Sequence, residues 1–218
     1  MEQVITKTQR LILNEFQKDP FLTENFYFTG GTALSNYYLH HRYSEDLDFF
    51  SEKPFDIRQI TNTVNNWAKK LNFSYKLRSI EGAVSMFSLN FKKGGTLKVD
   101  FGHYFNARIE KGPKDKNMEI DSLLDIAANK LITIPERTEV KDYVDLYFLL
   151  KKNFTIWDIT YAVEKKFRRE TDIFLLSSDF LKSESFEFLP KMILPLTLKE
   201  LKDFYKQQAV LLASKAVI

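Results

Sequence analysis

The chain has 218 residues and a net charge of +3, is 44% hydrophobic and 28% charged, and contains no cysteine. This balance is ordinary for a globular protein of one domain or a compact pair, and it supplies enough apolar residues for a core. Without cysteine, disulfides and thiolate metal sites are excluded. The mildly basic charge is compatible with an anionic partner such as RNA but does not require one. The 20 Phe and 10 Tyr favour a phenylalanine-rich core.

The first residues lack the basic start and continuous apolar run of a signal peptide, and no stretch approaches the length of a membrane span. We therefore expect a cytoplasmic protein with no membrane partner. The elements predicted before residue 117 alternate between helix and strand. They are a helix at 4–16, a strand at 26–29, a glycine turn and helix at 30–39, a strand at 46–50, a helix at 57–71, and strands at 73–77, 84–91 and 97–104, the last two joined by a turn at 92–95.

A polar stretch at 111–117 contains a Gly-Pro pair and is predicted to be a loop and a domain boundary. After it the pattern is helical, and four helices are predicted at 122–134, 140–150, 156–168 and 198–213. The fold class predicted is therefore α+β. An α/β domain covers residues 1–117, and an all-helical region covers residues 118–218.

Two glycines, Gly30 and Gly31, stand between the predicted strand and the following helix. Glycine lets a backbone approach a phosphate closely, and a helix start offers free N–H groups to an anion. Thr32 adds a hydroxyl next to the turn. Taken alone, the same residues also fit a tight turn capped by Thr32, so this motif by itself does not establish nucleotide binding.

The segment Asp46-Leu47-Asp48 follows one short helix later. On a strand, residues two apart project to one face, so Asp46 and Asp48 converge while Leu47 and Phe49 point to the core. Two adjacent carboxylates repel unless a cation lies between them, and Mg²⁺ prefers such oxygen ligands together with substrate phosphates. The alternative is two solvated aspartates on an exposed strand face.

A third carboxylate, Asp100, lies on another alternating strand, where it shares a face with Lys98. If this strand lies beside residues 46–50, three carboxylates meet, which is the arrangement that a two-metal site requires. One ion then positions a triphosphate and the other lowers the pKa of an attacking hydroxyl. The alternative is an ion pair between Asp100 and Lys98 or another lysine.

Charged residues recur after the predicted boundary. Lys130 follows Ile126 by one helical turn, so its stem packs while its ammonium reaches for a phosphate. Asp142 and Asp145 share a helix face and are placed to orient Lys130 or Arg137. The alternative for both acids is a solvated first turn of a helix. Residues 165–169, Lys-Lys-Phe-Arg-Arg, fit either RNA phosphates or a solvated basic helix end, and the latter is favoured.

The ordered set of motifs resembles the AbiEii/AbiGii family of bacterial nucleotidyltransferase toxins, which are associated with abortive phage infection and toxin–antitoxin pairs. The resemblance covers about residues 28–150. The motifs that carry it are Gly30-Gly31-Thr32-Ala33-Leu34, residues 42–50 around Asp46-Leu47-Asp48, Lys98-Val99-Asp100-Phe101, Ala128-Asn129-Lys130-Leu131 and residues 141–147 from Lys141 to Tyr147.

The resemblance implies a polymerase-β-like core, a nucleotidyltransferase-type mixed sheet flanked by helices, with an appended helical region. It implies Mg²⁺, or Mn²⁺ in its place, and a nucleoside triphosphate as ligands. The implied nucleotide-binding residues are Gly30, Gly31, Thr32, Ser44, Lys130, Arg137 and Asp142. The implied metal ligands are Asp46, Asp48 and Asp100, and the implied catalytic residues are these three aspartates with Lys130 and Asp145.

The match at Arg137 departs from many relatives, which have a glycine soon after this arginine where this chain has Thr138-Glu139-Val140. The resemblance implies transfer of a nucleoside monophosphate to a hydroxyl acceptor, with release of pyrophosphate. Some relatives modify the 3′ end of tRNA, so tRNA or another RNA is an expected partner, together with a cognate antitoxin. The alternatives are a nucleotide-binding module without transfer, and an enzyme that modifies an antibiotic or a protein.

Overall fold

The computed structural model describes residues 4–80 and 84–216. Their contacts define two units along the chain. Unit 1 comprises Met1–Tyr38 and Ser44–Ser122, and unit 2 comprises Leu39–Tyr43 and Leu123–Ile218. No helix within the described ranges is both long and apolar enough to cross a membrane.

Unit 1 is built on a mixed sheet with helices beside it, as predicted for the first part of the chain. Its helices are α1 (Lys7–Phe16), α2 (Pro20–Asn25), α3 (Gly30–Ala33) and α4 (Ile57–Leu71), and the π-helical turn Leu34–Leu39 follows α3. Its strands are β1 (Tyr27–Thr29), β2 (Leu47–Ser51), β3 (Phe73–Ile80), β4 (Val84–Phe91), β5 (Gly95–His103), β6 (Lys114–Asp115) and β7 (Met118–Ile120).

The strand order in the described sheet is β3-β4-β5-β2-β1-β7-β6. The pairs β2–β5 and β1–β7 are parallel, and the other pairs are antiparallel. The predicted hairpin turn at 92–95 is confirmed, because Phe91 pairs with Gly95 where β4 turns into β5. The parallel pairing of β2 with β5 also confirms the condition on which a three-carboxylate arrangement depended.

The core of unit 1 is rich in phenylalanine, as the composition predicted. Phe49 of β2 stacks on Phe16 of α1 with ring centroids 4.1 Å apart, and it contacts Phe28 and Phe101 at 5.3 Å each. All four rings are fully buried. Because side chains alternate along a strand, burying Phe49 and its neighbour Leu47 turns Asp48 toward the opposite face of the sheet.

The prediction of a loop at 111–117 is partly wrong, since β6 lies within this stretch and pairs with β7. Gly112 makes the fold-back possible: a Cβ at this position would lie 2.1 Å from the carbonyl oxygen of Ile120. The amide of Ile120 then donates to the carbonyl of Pro113 at 2.9 Å. The expected boundary at residue 117 therefore falls inside the β6–β7 hairpin, and unit 1 continues through Ser122.

Unit 2 is helical, as predicted. Its helices are α5 (Leu123–Glu136), α6 (Val140–Lys152), α7 (Ile156–Phe167), α8 (Ile173–Leu181) and α9 (Leu198–Ala216), with a short 3₁₀ turn at Lys182–Ser185. Helix α8, like α2 in unit 1, was not predicted. Buried tyrosines connect the helices, because the Tyr143 hydroxyl donates to the Asp179 carbonyl at 2.7 Å and Tyr205 donates to the Tyr143 carbonyl at 2.6 Å.

The segment Leu39–Tyr43, which belongs to unit 2, precedes the Asp-x-Asp motif in the chain. Its backbone bonds to residues 191–193: the amide of Tyr43 donates to Lys191 and the amide of Ile193 donates to His41, each at 2.9 Å. The segment is thereby fixed within unit 2 by main-chain hydrogen bonds, although its neighbours on both sides in the sequence lie in unit 1.

Candidate active site

The glycine turn at the end of β1 lies directly against the second aspartate of the Asp-x-Asp motif. Gly30 has a φ of +75°, which side chains rarely adopt, and a Cβ there would lie 2.1 Å from Oδ2 of Asp48. Only glycine therefore allows the Asp48 carboxylate to occupy this place. Gly31, the next residue, is buried in the first turn of α3.

The loop before β2 is held by two side chains that donate to its carbonyl groups. The hydroxyl of Thr32, a fully buried residue, donates to the carbonyl of Asp46 at 2.5 Å. The amide of Gln9, also buried, donates to the carbonyl of Ser44 at 2.8 Å. Thr32 thus bonds the loop that carries the first aspartate, and Gln9 is a positioning residue that the motif analysis missed.

Gln9 has a second structural role in α1. Its side-chain carbonyl accepts from the amide of Thr6, and the Thr6 hydroxyl accepts from the amide of Gln9. This reciprocal pair is a capping box, which satisfies amides at the start of the helix. The sequence Thr6-x-x-Gln9 is a detectable signal for the cap, but it carries no sign of the contact with Ser44, a residue 35 positions away.

The carboxylates of β2 and β5 share one face of the sheet. Asp48 is the register partner of Asp100 on the parallel strand β5, and of Thr29 on the antiparallel strand β1. All three side chains point to the same side because registered neighbours in a sheet do so. Asp46, which the sequence predicted as the first residue of this strand, directly precedes β2 and lies one residue outside it.

The electrostatics of Asp100 distinguish this group from a set of solvated acids. Burial, and then the negative charge of Asp46, raise the pKa of Asp100 to about 6, while Lys98 lowers it. The ion pair between Asp100 and Lys98 that the sequence left open does not form among the described residues. Asp46 and Asp100 are therefore close enough to repel each other, a condition that a cation relieves.

These side chains fit a hard divalent cation in donor type. Mg²⁺ commonly binds one or two protein carboxylates and completes its shell with water and substrate phosphates. Within residues 4–80 and 84–216, no three His, Asp or Glu side chains gather closely enough to enclose a metal ion by themselves.

A second carboxylate group lies in unit 2 and is built differently. Asp145 is fully buried, and its Oδ1 accepts from Nε of Arg42 at 2.6 Å and from Nε2 of His41 at 2.7 Å. Its Oδ2 accepts from Nη2 of Arg42 at 2.8 Å and lies 2.7 Å from Nζ of Lys130. Although burial raises the pKa of Asp145, the charges of Arg42 and Lys130 outweigh it and hold that pKa well below its usual range.

Asp142 completes this buried network. It accepts from Nζ of Lys130 at 2.7 Å and from Nε of Arg137 at 2.9 Å. The prediction that Asp142 and Asp145 orient Lys130 or Arg137 is therefore confirmed, and the alternative of a solvated helix turn is wrong because both acids are 0% exposed. Burial lowers the pKa of Lys130, but the charges of Asp145 and Asp142 raise it by more than burial lowers it. The ammonium therefore stays charged.

His41 and Arg42 are the members of this network that sequence analysis did not assign. Arg42 lay within the motif but received no role, and its partner Asp145 is 103 positions away. The only signal in the sequence was a pair of adjacent basic residues just before the acidic motif. In the structure both are buried, with His41 0% and Arg42 3% exposed. Because Arg42 and Asp145 are so far apart in the sequence, no local pattern indicates that they bond.

The basic run at residues 165–169 is not uniformly solvated, which corrects the favoured interpretation. Lys166 is buried, and its Nζ lies 2.7 Å from Oδ1 of Asp125 on α5. Lys165, Arg168 and Arg169 are exposed. The buried lysine serves the packing of unit 2, and only its three basic neighbours face solvent.

The predicted site residues thus fall into two groups, one in each unit. Within unit 1 the structure brings together the glycine turn, the Ser44–Asp46 loop, Asp48 and Asp100. Within unit 2 it brings together Lys130, Arg137, Asp142 and Asp145, and it adds His41 and Arg42. The first group has an excess of carboxylates, and the second has an excess of cations.

Comparison with known proteins gives this geometry a context. A family model described as "Nucleotidyl transferase AbiEii toxin, Type IV TA system" matches residues 12–211. An uncharacterized protein of Aquifex aeolicus is 29% identical over 192 residues, which cover 86% of this chain and 87% of that protein.

Two solved structures share the fold. JHP933 from Helicobacter pylori has a TM-score of 0.61 at 22% identity and is matched over 98% of this chain and 95% of its own. MenT4, a nucleotidyltransferase toxin from Mycobacterium tuberculosis, has a TM-score of 0.56 at 14% identity, over 93% of this chain and 82% of its own. At these identities the likeness concerns the fold alone.

Proposed function

The chain belongs to the AbiEii family of nucleotidyltransferase toxins, and we propose that it transfers a nucleoside monophosphate from a triphosphate to a hydroxyl acceptor, with Mg²⁺ bound by Asp46, Asp48 and Asp100. The observation that carries the proposal is the carboxylate face of β2 and β5, where burial and then Asp46 raise the pKa of Asp100 and Gly30 makes room for Asp48. Fixed acids that repel one another favour binding of an external cation.

When bound, Mg²⁺ or Mn²⁺ neutralises charge on the triphosphate and lowers the pKa of the attacking hydroxyl. The residues of the chain position the phosphates and the metal-binding carboxylates. Gly30 and Gly31 allow the phosphates to approach the backbone at the end of β1, next to the Asp48 carboxylate. Thr32 and Gln9 hold the loop of Asp46, and Ser44 lies in the same loop. Positioning and charge neutralisation account for most catalysis in phosphoryl transfer.

Asp100 is proposed to accept the proton of the acceptor hydroxyl. Without a bound metal, its pKa of about 6 leaves it mostly ionised at neutral pH, yet more basic than an ordinary aspartate. The acceptor oxygen forms a bond to the α-phosphorus while the bond from that phosphorus to the bridging β-phosphate oxygen breaks. The electron pair leaves with pyrophosphate, and the hydroxyl proton passes to the Asp100 carboxylate.

In unit 2, Lys130 and Arg137 are proposed to contact the triphosphate. Asp145 and Asp142 are assigned as positioning residues for these cations, because both acids are buried and already bonded to cations. Contacts with His41, Arg42 and Lys130 hold the pKa of the Asp145 carboxylate low, which supports a positioning role over proton transfer. The family resemblance implied a catalytic role for Asp145.

The acceptor proposed is RNA, including the 3′ end of tRNA, and the consequence is toxicity. The family description names a type IV toxin–antitoxin system, which supports a cognate antitoxin as partner. MenT4 is likewise described as a nucleotidyltransferase toxin. We propose a cytoplasmic location, because triphosphates and tRNA are available there.

The test is incubation of the protein with each α-labelled triphosphate, Mg²⁺ and total bacterial RNA. We expect label on RNA, reduced by about 10³-fold or more in Asp46→Asn, since metal and charge clamps contribute on that order to phosphoryl transfer. Asp203→Asn is the matched control, because Asp203 is an exposed aspartate on α9. Triphosphate binding without transfer, unchanged by Asp46→Asn, contradicts the proposal and indicates a nucleotide-binding module.

A further inference from the structure

The polar face of the unit 1 sheet continues beyond the carboxylates toward the β3 edge. Strand register places Asp48, Asp100, Met86 and Arg78 in one row across β2, β5, β4 and β3. Because registered residues share a face, Arg78 points to the same side as the two aspartates. The row therefore runs from the proposed metal ligands to an arginine at the edge strand.

The adjacent row adds two more cations. Lys98 of β5 pairs with Ser88 of β4, which pairs with Lys76 of β3. Lys98 precedes Asp100 by two residues and Lys76 precedes Arg78 by two, so all of them lie on the same face. We call Lys76, Arg78 and Lys98 the basic strip.

The members of the basic strip are exposed, and none forms an ion pair among the described residues. Neighbouring strands lie about 4.8 Å apart and residues two apart on a strand about 6.7 Å, so the strip extends over roughly 10 Å from the β5 to the β3 position. Three like charges gathered on one face repel one another, and an extended anion is the partner that removes this repulsion.

We propose that the basic strip binds the phosphate backbone of a single-stranded RNA acceptor, leading its terminal hydroxyl to Asp100. This inference rests on the proposed function and narrows its acceptor. Successive phosphates of one extended strand match three cations that are spread over two rows of the sheet. The β4 residues between the cations, Met86 and Ser88, are uncharged and only partly buried.

The geometry distinguishes the strip from the other exposed basic group, Lys165, Arg168 and Arg169 in unit 2. The strip shares a sheet face with Asp48 and Asp100 through direct register, so its position relative to the proposed chemistry follows from hydrogen bonding within one unit. The helical group belongs to unit 2. It serves as a competing RNA surface in the test.

The experiment compares four full-length proteins by titration with a short fluorescein-labelled single-stranded RNA: the wild type, the strip variant, a competing-surface variant and a charge control. The strip variant carries Lys76→Ala, Arg78→Ala and Lys98→Ala. The competing-surface variant carries Lys165→Ala, Arg168→Ala and Arg169→Ala. The charge control carries Lys69→Ala, Lys206→Ala and Lys215→Ala at exposed lysines elsewhere. Thermal unfolding verifies each fold.

Three lost phosphate contacts lower the slope of log affinity against log salt by about 2, since single strands release about 0.7 counterion per contact. Between about 50 and 200 mM salt, the wild type should then lose about 20-fold more affinity than the strip variant. The other two variants should keep the wild-type slope. Binding of a fluorescent triphosphate with Mg²⁺ should be equal in all four, at a pH well above the Asp100 pKa of about 6.

An unchanged slope in the strip variant overturns the inference, as does an equal loss in the charge control or a loss confined to the competing-surface variant. Label that appears on protein but not on RNA also overturns it, while leaving nucleotidyl transfer intact. Failure of the wild type to bind triphosphate and Mg²⁺ contradicts the proposed function instead. Failure of the RNA-binding inference is thereby distinguished from failure of the proposed function.

Discussion

The two carboxylate groups contain the same residue type in opposite electrostatic settings. In unit 1, Asp46 and Asp100 lie near each other without an ion pair among the described residues, and the pKa of Asp100 rises to about 6. In unit 2, Asp142 and Asp145 are fully buried, contact arginine, lysine and histidine, and the pKa of Asp145 falls. The difference lies in whether the chain supplies the cations.

This contrast separates two uses of acidic residues. Charges removed from water require compensation, and unit 2 provides it internally, so its acids organise Lys130, Arg42 and Arg137. In unit 1, under the proposed function, a metal and a triphosphate complete the compensation of the carboxylates. Substitutions should therefore affect mainly stability in unit 2 and mainly activity in unit 1.

The largest effect on stability is expected for Asp145→Asn. It leaves the buried cations Arg42 and Lys130 without their shared negative charge and His41 without its carboxylate partner, and removing one partner of a buried pair costs about 3–5 kcal/mol. Asp46→Asn should change the free energy of unfolding by less than about 0.5 kcal/mol. Urea unfolding followed by circular dichroism measures both, and equal losses would remove the distinction between the two groups.

The next effect concerns two buried lysines. Lys166→Met leaves Asp125 without its ammonium and should cost about 3 kcal/mol, with no change in transfer rate per folded molecule. Lys130→Met should combine a stability loss with a transfer rate lower by about 10²–10³-fold, since Lys130 is proposed to stabilise charge on the triphosphate. Normal transfer in folded Lys130→Met contradicts that role. Urea unfolding measures the stability of both variants, and initial rates measure their transfer activity.

Gly30→Ala and Gly95→Ala test the close approach of Asp48. Both glycines have nearly the same φ, +75° and +76°, so both substitutions incur about 1–2 kcal/mol of backbone strain. A Cβ at Gly95 meets nothing within 4 Å, whereas one at Gly30 displaces the Asp48 carboxylate. We expect a transfer rate about 10²-fold lower for Gly30→Ala only, because small misplacements have effects of that size. Equal rates would show that the position of Asp48 is not required.

The smallest effect is a gain of stability in Asp100→Asn. The folded pKa of about 6 lies above the ordinary value of 3.8, so Asp100 stabilises the fold below about pH 4, and this contribution is lost as pH rises through 6. After a discount for solvent screening, the variant should be about 1 kcal/mol more stable at neutral pH, while transfer is lost. Unfolding across pH measures the gain, which should vanish toward pH 4; a gain independent of pH contradicts the assignment.

Long and strongly periodic elements were predictable from the sequence. Helix α4 matches its predicted range of 57–71, because Ile60, Val64 and Trp67 repeat at helical spacing and Asn72 ends the helix in a left-handed conformation. Strand β4 also matches its predicted range. The short elements α2 and β6 were missed, since a few residues carry too little periodicity and their pairing depends on distant chain segments.

For the candidate site, residue spacing predicted which side chains share a strand or helix face. Tertiary packing determined which residues they bond to. The alternation of Leu47 and Phe49 with Asp48 predicts a shared acidic side, and β5 does lie beside β2. The sequence offered no sign that Gln9 bonds the loop of Ser44, or that Arg42 bonds Asp145, because those partners are 35 and 103 positions apart. Such contacts arise only when the chain is folded.

The sequence by itself determined the motifs, their faces and the family to which they belong, because these depend on residue type and short-range periodicity. Only the tertiary structure decided which aspartates receive cations from the chain. Asp100 and Asp145 each follow a valine and precede an apolar residue, and nothing local distinguishes them. Burial raises the pKa of both acids, and Asp46 raises that of Asp100 further, whereas Arg42 and Lys130 outweigh burial at Asp145. All of these charges come from remote positions that folding brings near.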